Sequence, residues 1–214
     1  MSRSSVFADM ASQDVTAAEF NKLDGVTVTT AQINAPTTLG VVTSGTIASG
    51  VTFPAGHIVQ VKQLVDTETD STTSTEYVDI GTTLGFTLAI TPSSASNKIL
   101  VLMQFWMTTE GPYVWSKLVR SGGASGDGDI YKGVDAGSAL GVSTSGKSSG
   151  GENSVNHSLI YLDSPAVTSA VTYKLQWRQR SSGTGRFNTH NDGQTATANQ
   201  PLFSSTITLM EVVA

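Results

Sequence analysis

From residue 57 onward, apolar residues recur at every second position, and that period belongs to strands. In 171–178, Val171, Tyr173, Leu175 and Trp177 fall on one side, and Thr172, Lys174, Gln176 and Arg178 on the other. Successive side chains of a β-strand point to opposite faces, so one face of this segment is fitted to a core and the other to water. In 204–213, Ile207, Leu209 and Glu211 share one side while Thr206, Thr208, Met210 and Val212 share the other. Phe86, Leu88 and Ile90 alternate in the same way. The run 98–107 is apolar almost throughout, which predicts a central strand buried on both faces. Strands are also expected at 58–65, 77–80, 113–120 and 154–162, with a short one at 130–132. About eight to nine strands without a long helix predict a mainly β fold, an antiparallel β-sandwich of jelly-roll type spanning 57–214.

Between these strands lie three polar loops, at 67–75, 121–153 and 181–200. Loops longer than about 12–15 residues are commonly functional. Tyr131, Arg186, Phe187 and His190 lie in the two longest and are candidate receptor contacts, because aromatic faces flanked by polar groups suit sugar rings. Phe105, Trp106, Tyr113 and Trp115 flank a turn at 108–112 and are expected to pack in the core or at a subunit interface.

Charged residues make up 14% of the chain, against about 25% in an average soluble domain. The formal net charge is −5. A general phosphate-binding surface needs clustered Lys and Arg, so a nucleic-acid partner is not expected. There is no cysteine, hence no disulfide and no thiolate metal site. The first ten residues lack the apolar stretch of about 7–15 residues that a secretory signal needs. The longest apolar run, 99–107, is too short to span a bilayer, and no membrane insertion is expected.

Gly141-Val-Ser-Thr-Ser-Gly146-Lys147-Ser148 fits the Walker A expression. That chemistry needs a buried strand before the loop and a helix start after it, so that backbone amides cradle phosphate. Residues 135–140 do not read as a buried strand, and Ser-Ser-Gly-Gly-Glu-Asn at 148–153 is unsuited to open a helix. Asp127 and Asp129 are too few to hold a hard cation by themselves, and Asp-Gly is an ordinary turn pair. His57, His157 and His190 are far apart in the chain and show no zinc spacing. No Gly-x-Ser-x-Gly nucleophile elbow stands in a strand-turn-helix setting. The chain is therefore expected not to be an enzyme, and to carry no cofactor and no metal site.

The N-terminal quarter has another character. Thr16 and Glu19 form a capping box, and Gly25 can end the helix they begin. Phe20 and Leu23, three residues apart, share one face. Two turns of helix are far below the length that is stable alone, about 12–15 residues. Thr-Thr-Ala-Gln-Ile-Asn at 29–34 restarts the pattern, and Pro36 ends it. In 37–56, Gly40, Gly45 and Gly50 recur every five residues with β-branched residues between them. Such a segment has no core of its own and orders when it wraps around copies of itself. Phe53-Pro54-Ala55-Gly56 reads as a closing turn. Residues 1–14 are polar apart from Val6, Phe7 and Met10, which suit an anchoring peptide. The divisions are thus an anchor at 1–14, a stalk and junction at 15–56, and a β head at 57–214.

Thr-Ala-Ala-Glu-Phe-Asn-Lys-Leu-Asp-Gly-Val-Thr, followed by Thr-Thr-Ala-Gln-Ile-Asn, resembles the repeated stalk units of bacteriophage fibre proteins. Gly-Thr-Ile-Ala-Ser-Gly-Val-Thr-Phe-Pro-Ala-Gly-His-Ile-Val-Gln at 45–60 is similar to the stalk-to-head junction of marine phage structural proteins. Ser-Leu-Ile-Tyr-Leu-Asp-Ser-Pro at 158–165, Thr-Tyr-Lys-Leu-Gln-Trp-Arg at 172–178 and Ser-Thr-Ile-Thr-Leu-Met-Glu at 205–211 are similar to their head domain. The resemblance implies a homotrimeric fibre or spike of the virion, made in the host cytoplasm. Its head would be a jelly roll like those of tumour necrosis factor and C1q. In that setting Val6, Phe7 and Met10 would anchor the chain to capsid or tail proteins. Phe20, Leu23, Val26 and Ile33 would make trimer stalk contacts, and the head would meet a host-surface glycan or protein. A capsid decoration fibre without a receptor role and a carbohydrate-binding module are the alternatives. Long tail fibres carry many stalk units; this chain has one and a half.

Overall fold

The computed structural model describes residues 53–81, 85–147, 154–190 and 201–214. Twelve strands occur among them: β1 (Ile58–Asp66), β2 (Asp70–Thr72), β3 (Val78–Asp79), β4 (Thr87–Ile90), β5 (Lys98–Thr109), β6 (Val114–Ser121), β7 (Gly128–Tyr131), β8 (Thr144–Gly146), β9 (Val155–Asp163), β10 (Val171–Gln179), β11 (Gly185–Phe187) and β12 (Ser205–Val212). The described residues contain no helix. The expected anchor and helical stalk lie outside them.

The strands form two antiparallel sheets. The first runs β1-β12-β5-β9, with β11 and then β2 continuing beside the far end of β5. The second has β10 and β6 at its centre; β3 and β4 share the edge of β10, and β7 and β8 share the edge of β6. The chain passes between the sheets from β2 to β3, β4 to β5, β5 to β6, β8 to β9, β9 to β10 and β10 to β11. Alternation in the sequence becomes layering here. Ile99, Val101, Met103, Phe105 and Met107 of β5 are buried against Val171, Tyr173, Leu175 and Trp177 of β10 in one core. Phe86 meets Phe105 at 6.2 Å and Phe187 at 5.1 Å, and Trp177 meets Phe187 edge-on at 6.3 Å. Two sheets facing each other across such a core make a β-sandwich.

Two points differ from the expectation. β5 is central, between β12 and β9, but only one of its faces is buried; Leu100, Leu102 and Trp106 on the other are partly exposed. β2, β8 and β11 stand where loops are expected. Each is three residues long, β8 held by β6, β11 by β5 and β2 by β11, so its own sequence carries almost no periodic signal.

The turn at 53–56 closes as expected. Gly56 sits at φ +89°, a region glycine enters without strain. Its N–H donates to the Val213 carbonyl at 2.8 Å, and the Val213 N–H donates to the His57 carbonyl at 2.9 Å. β1 is thereby fastened to β12 from its first residue, in a register running from Ile58–Val212 to Asp66–Ser205.

Two buried polar clusters lie at the same end of the sandwich, where Glu211, Ile99 and Asp163 form one cross-strand row. In one, Arg120 of β6 donates from Nη1 to both oxygens of Asp163 on β9, at 2.9 and 3.0 Å. Tyr173 of β10 donates its hydroxyl to the same carboxylate at 2.7 Å, and Ser125 also bonds to the guanidinium. In the other, Glu211 of β12 is fully buried and accepts from the Ser93 N–H, the Ser93 hydroxyl and the Asn97 amide, at 2.6–2.7 Å.

Burial pushes the Glu211 carboxyl up, but the hydrogen bonds from Ser93 and Asn97 outweigh it and hold the group below the usual glutamate range. An unfolded glutamate titrates near about 4.3, so this contribution is full above that pH and is lost as the pH falls through the lower folded value. Glu211→Gln is expected to lower the melting temperature at neutral pH and to flatten its fall below about pH 4.3. An unchanged acid limb in a thermal melt series would show that the carboxylate contributes nothing.

Candidate interaction surfaces

The outward faces of the two sheets differ in chemistry. On the first sheet the cross-strand register builds one fully apolar row and, beside it, a row that is polar on β1 and β12 and apolar on β5 and β9. One runs Val61, Met210, Leu100, Leu162; the next runs Gln63, Thr208, Leu102, Ile160. Ile160 is 63% exposed and Val61 56%. Of the eleven large hydrophobic residues exposed among the described residues, six lie on β1 and β9. A shallow groove of about 280 Å³ runs over this face between Leu102, Ile160, Thr206 and Thr208. Scattered exposed apolar residues are ordinary; a contiguous apolar row across four strands, widened by Leu102 and Ile160, suits an association surface.

The second sheet turns cations and aromatic rings outward. Trp115 of β6 lies opposite Arg178 of β10, both alternating with buried neighbours. The Arg178 guanidinium lies 5.5 Å from the Trp115 ring centre and 5.7 Å from that of Tyr77. Lys117 sits over the other side of this group, 4.5 Å from Tyr77. At the end of the sheet, Arg180 and Lys147 each approach the Tyr113 ring at 5.6 Å. Each contact contributes about 0.5–1 kcal/mol at exposed positions and stiffens the sheet. The charges divide into two groups. Lys117 is paired with Asp129 at 2.8 Å and Lys174 with Asp79 at 2.8 Å. Arg178, Arg180 and Lys147 take part in no ion pair among the described residues.

The residues singled out from sequence are dispersed. Val6, Phe7, Met10, Phe20, Leu23, Val26 and Ile33 lie outside the described residues. Tyr131 is on β7, 41% exposed, with its ring 5.2 Å from Tyr161. Arg186, Phe187 and His190 follow one another on and after β11, in the other sheet. Arg186 pairs with Glu110 at 2.5 Å. Phe187 and His190 are buried, Phe187 between Phe86 and Trp177, so neither offers an outward face. No local pattern in the sequence marks the cation–ring ladder. Trp115 and Arg178 are 63 residues apart in sequence, and only the pairing of β6 with β10 brings them together.

The remaining motifs resolve into turns and strands. Asp127 accepts the Gly122 N–H at 2.8 Å, while Asp129 faces Lys117 and Lys132, so the two carboxylates are used separately. Within the Walker-like stretch, Thr144–Gly146 is strand β8 on β6. Gly141 is required by packing: a Cβ there would collide with the Gly133 carbonyl. His157 is buried and stacks on Phe105 at 5.4 Å; burial lowers its pKa, with a backbone hydrogen bond at Met107 opposing the shift.

No protein-family model matches this chain, and no curated protein matches it. Among solved structures it is similar to a chain in the structure of infectious bursal disease virus Gx strain, with a TM-score of 0.30 and 11% identity. That match covers 80% of this chain and 42% of the viral one, so this chain spans less than half the length of its neighbour.

Proposed function

We propose that this protein is a structural and binding component of a bacteriophage virion, a homotrimeric short fibre or spike without catalytic activity. In this reading residues 1–14 attach it to capsid or tail proteins, residues 15–56 form the stalk, and the β head meets the host surface. The observation that carries the proposal is the apolar outer face of β1-β12-β5-β9. An apolar row across four strands, Val61, Met210, Leu100 and Leu162, flanked by Leu102 and Ile160, is unfavourable in water and is relieved when copies of the chain pack against one another. The strand order supports it too. Four principal strands, β1-β12-β5-β9, face β4-β10-β6 and the β7/β8 edge, with the chain crossing back and forth, which is the connectivity of a jelly roll. The resemblance of residues 15–34 to phage stalk units supplies the setting, since a helix that short orders only in company.

The test is the mass of the full chain in solution by light scattering. Three times the 22.3 kDa of one chain is expected. A monomer at micromolar concentration would overturn the proposal.

A further inference from the structure

We propose that the outer face around Tyr113, Trp115, Arg178, Arg180 and Lys147 binds an anionic polysaccharide, a polymer of sugar rings bearing carboxylate or sulfate groups. The proposal names a ligand class for the attachment role and rests on that role for its biological meaning; the binding is measured independently of it.

Charge complementarity comes first. In a chain of net charge −5, three cations gather on one face and none of them is in an ion pair among the described residues. The remainder of that face neutralises its own charge, Lys117 with Asp129 and Lys174 with Asp79. The excess is therefore confined to one end of the sheet.

The rings come second. Arg178 lies across Trp115 and Tyr77, and its Nε–H donates to the Gln179 carbonyl at 3.2 Å, which orients a planar guanidinium whose two Nη groups can grip a carboxylate or sulfate in two-point fashion. Lys147, a point charge, and the Arg180 guanidinium approach the Tyr113 ring from the residues just after β8 and β10. Rings and cations thus alternate across neighbouring strands. An acidic sugar offers both complements, an apolar ring face and an anion at its rim. A neutral sugar would leave the cations unanswered. A nucleic acid would call for a longer basic track than one end of a sheet in an acidic protein provides.

The experiment is retention of the full chain on immobilised polygalacturonate, dextran sulfate, neutral dextran and a single-stranded oligodeoxynucleotide. Retention on either acidic glycan, weakening as salt rises, is expected, and which of the two is favoured identifies carboxylate or sulfate as the partner. Retention on the oligonucleotide alone, equal retention on neutral dextran, or no retention at all would overturn the proposal. Arg180→Glu with Lys147→Glu, both exposed positions, is expected to weaken glycan binding about tenfold or more. Tyr113→Leu keeps the charges and removes a ring; it is expected to weaken binding severalfold, and an unchanged value for either variant would overturn the assignment. The mass measured on the same samples separates the two readings. A trimer that ignores acidic glycans removes this inference and leaves the fibre. A monomer that binds them removes the fibre and leaves the site.

Discussion

Asp163→Ala is expected to destabilise the head by about 3–5 kcal/mol, because it strips the partner from a buried guanidinium. Arg120 is 5% exposed and Asp163 3%, and the carboxylate also accepts the Tyr173 hydroxyl at 2.7 Å. With Asp163 gone, Arg120 keeps its charge, since a guanidinium does not deprotonate in proteins, and Tyr173 loses its acceptor. For a domain of this size the loss corresponds to a fall of about 6–20 °C in melting temperature. The informative control is Arg120→Met with Asp163→Leu. Apolar replacement of both partners is often neutral or better, so this pair should recover most of the stability in the same thermal melt. A single variant that melts within a degree of the parent would show that water reaches Arg120 and that the two sheets are not joined here by a dry ion pair.

The second large effect concerns assembly. Leu102 and Ile160 face each other across β5 and β9 on the apolar outer surface. Leu102→Glu with Ile160→Lys places opposite charges directly across the strands, an arrangement the sheet itself tolerates. Removing two buried apolar side chains per subunit from an interface costs about 3–6 kcal/mol per protomer, enough to convert a trimer to monomers at micromolar concentration. Light scattering would register the change, while the melting transition of the isolated head should persist. Val134→Glu, at a 92% exposed position on a loop, is expected to leave the mass unaltered. A trimer that survives the double substitution would place the contact elsewhere.

The long strands were legible because their burial follows the residue period. Val171, Tyr173, Leu175 and Trp177 are each fully buried, and so are Ile207, Leu209 and Glu211. Even the odd member, Glu211, shares the side of Ile207 and Leu209 in the sequence; local pattern does not reveal the Ser93–Asn97 turn that satisfies it once buried. β5 was misread on one side because an apolar run looks the same whether its second face meets the same chain or an association surface. β2, β8 and β11 escaped notice because a three-residue strand owes its conformation to the neighbour it joins. Phe187 shows the cost: placed in a Gly/Ser-rich segment it resembles an exposed contact, yet Gly185–Phe187 pairs with β5 and turns the ring into the core. The outer cation–ring ladder was beyond reach for a related reason. It exists only through the pairing of Trp115 with Arg178, a property of register that local composition does not encode.

The fastening of β1 to β12 has a mechanical consequence. Tension applied to the chain ahead of residue 57 along the strand enters β1 at Ile58 and acts parallel to it, so its ladder with β12 is loaded in shear. The hydrogen bonds from Ile58–Val212 to Asp66–Ser205 then share the force and must fail together, whereas a perpendicular pull would open them one at a time. β1 is thus built to hold under a lengthwise pull and to peel under a sideways one.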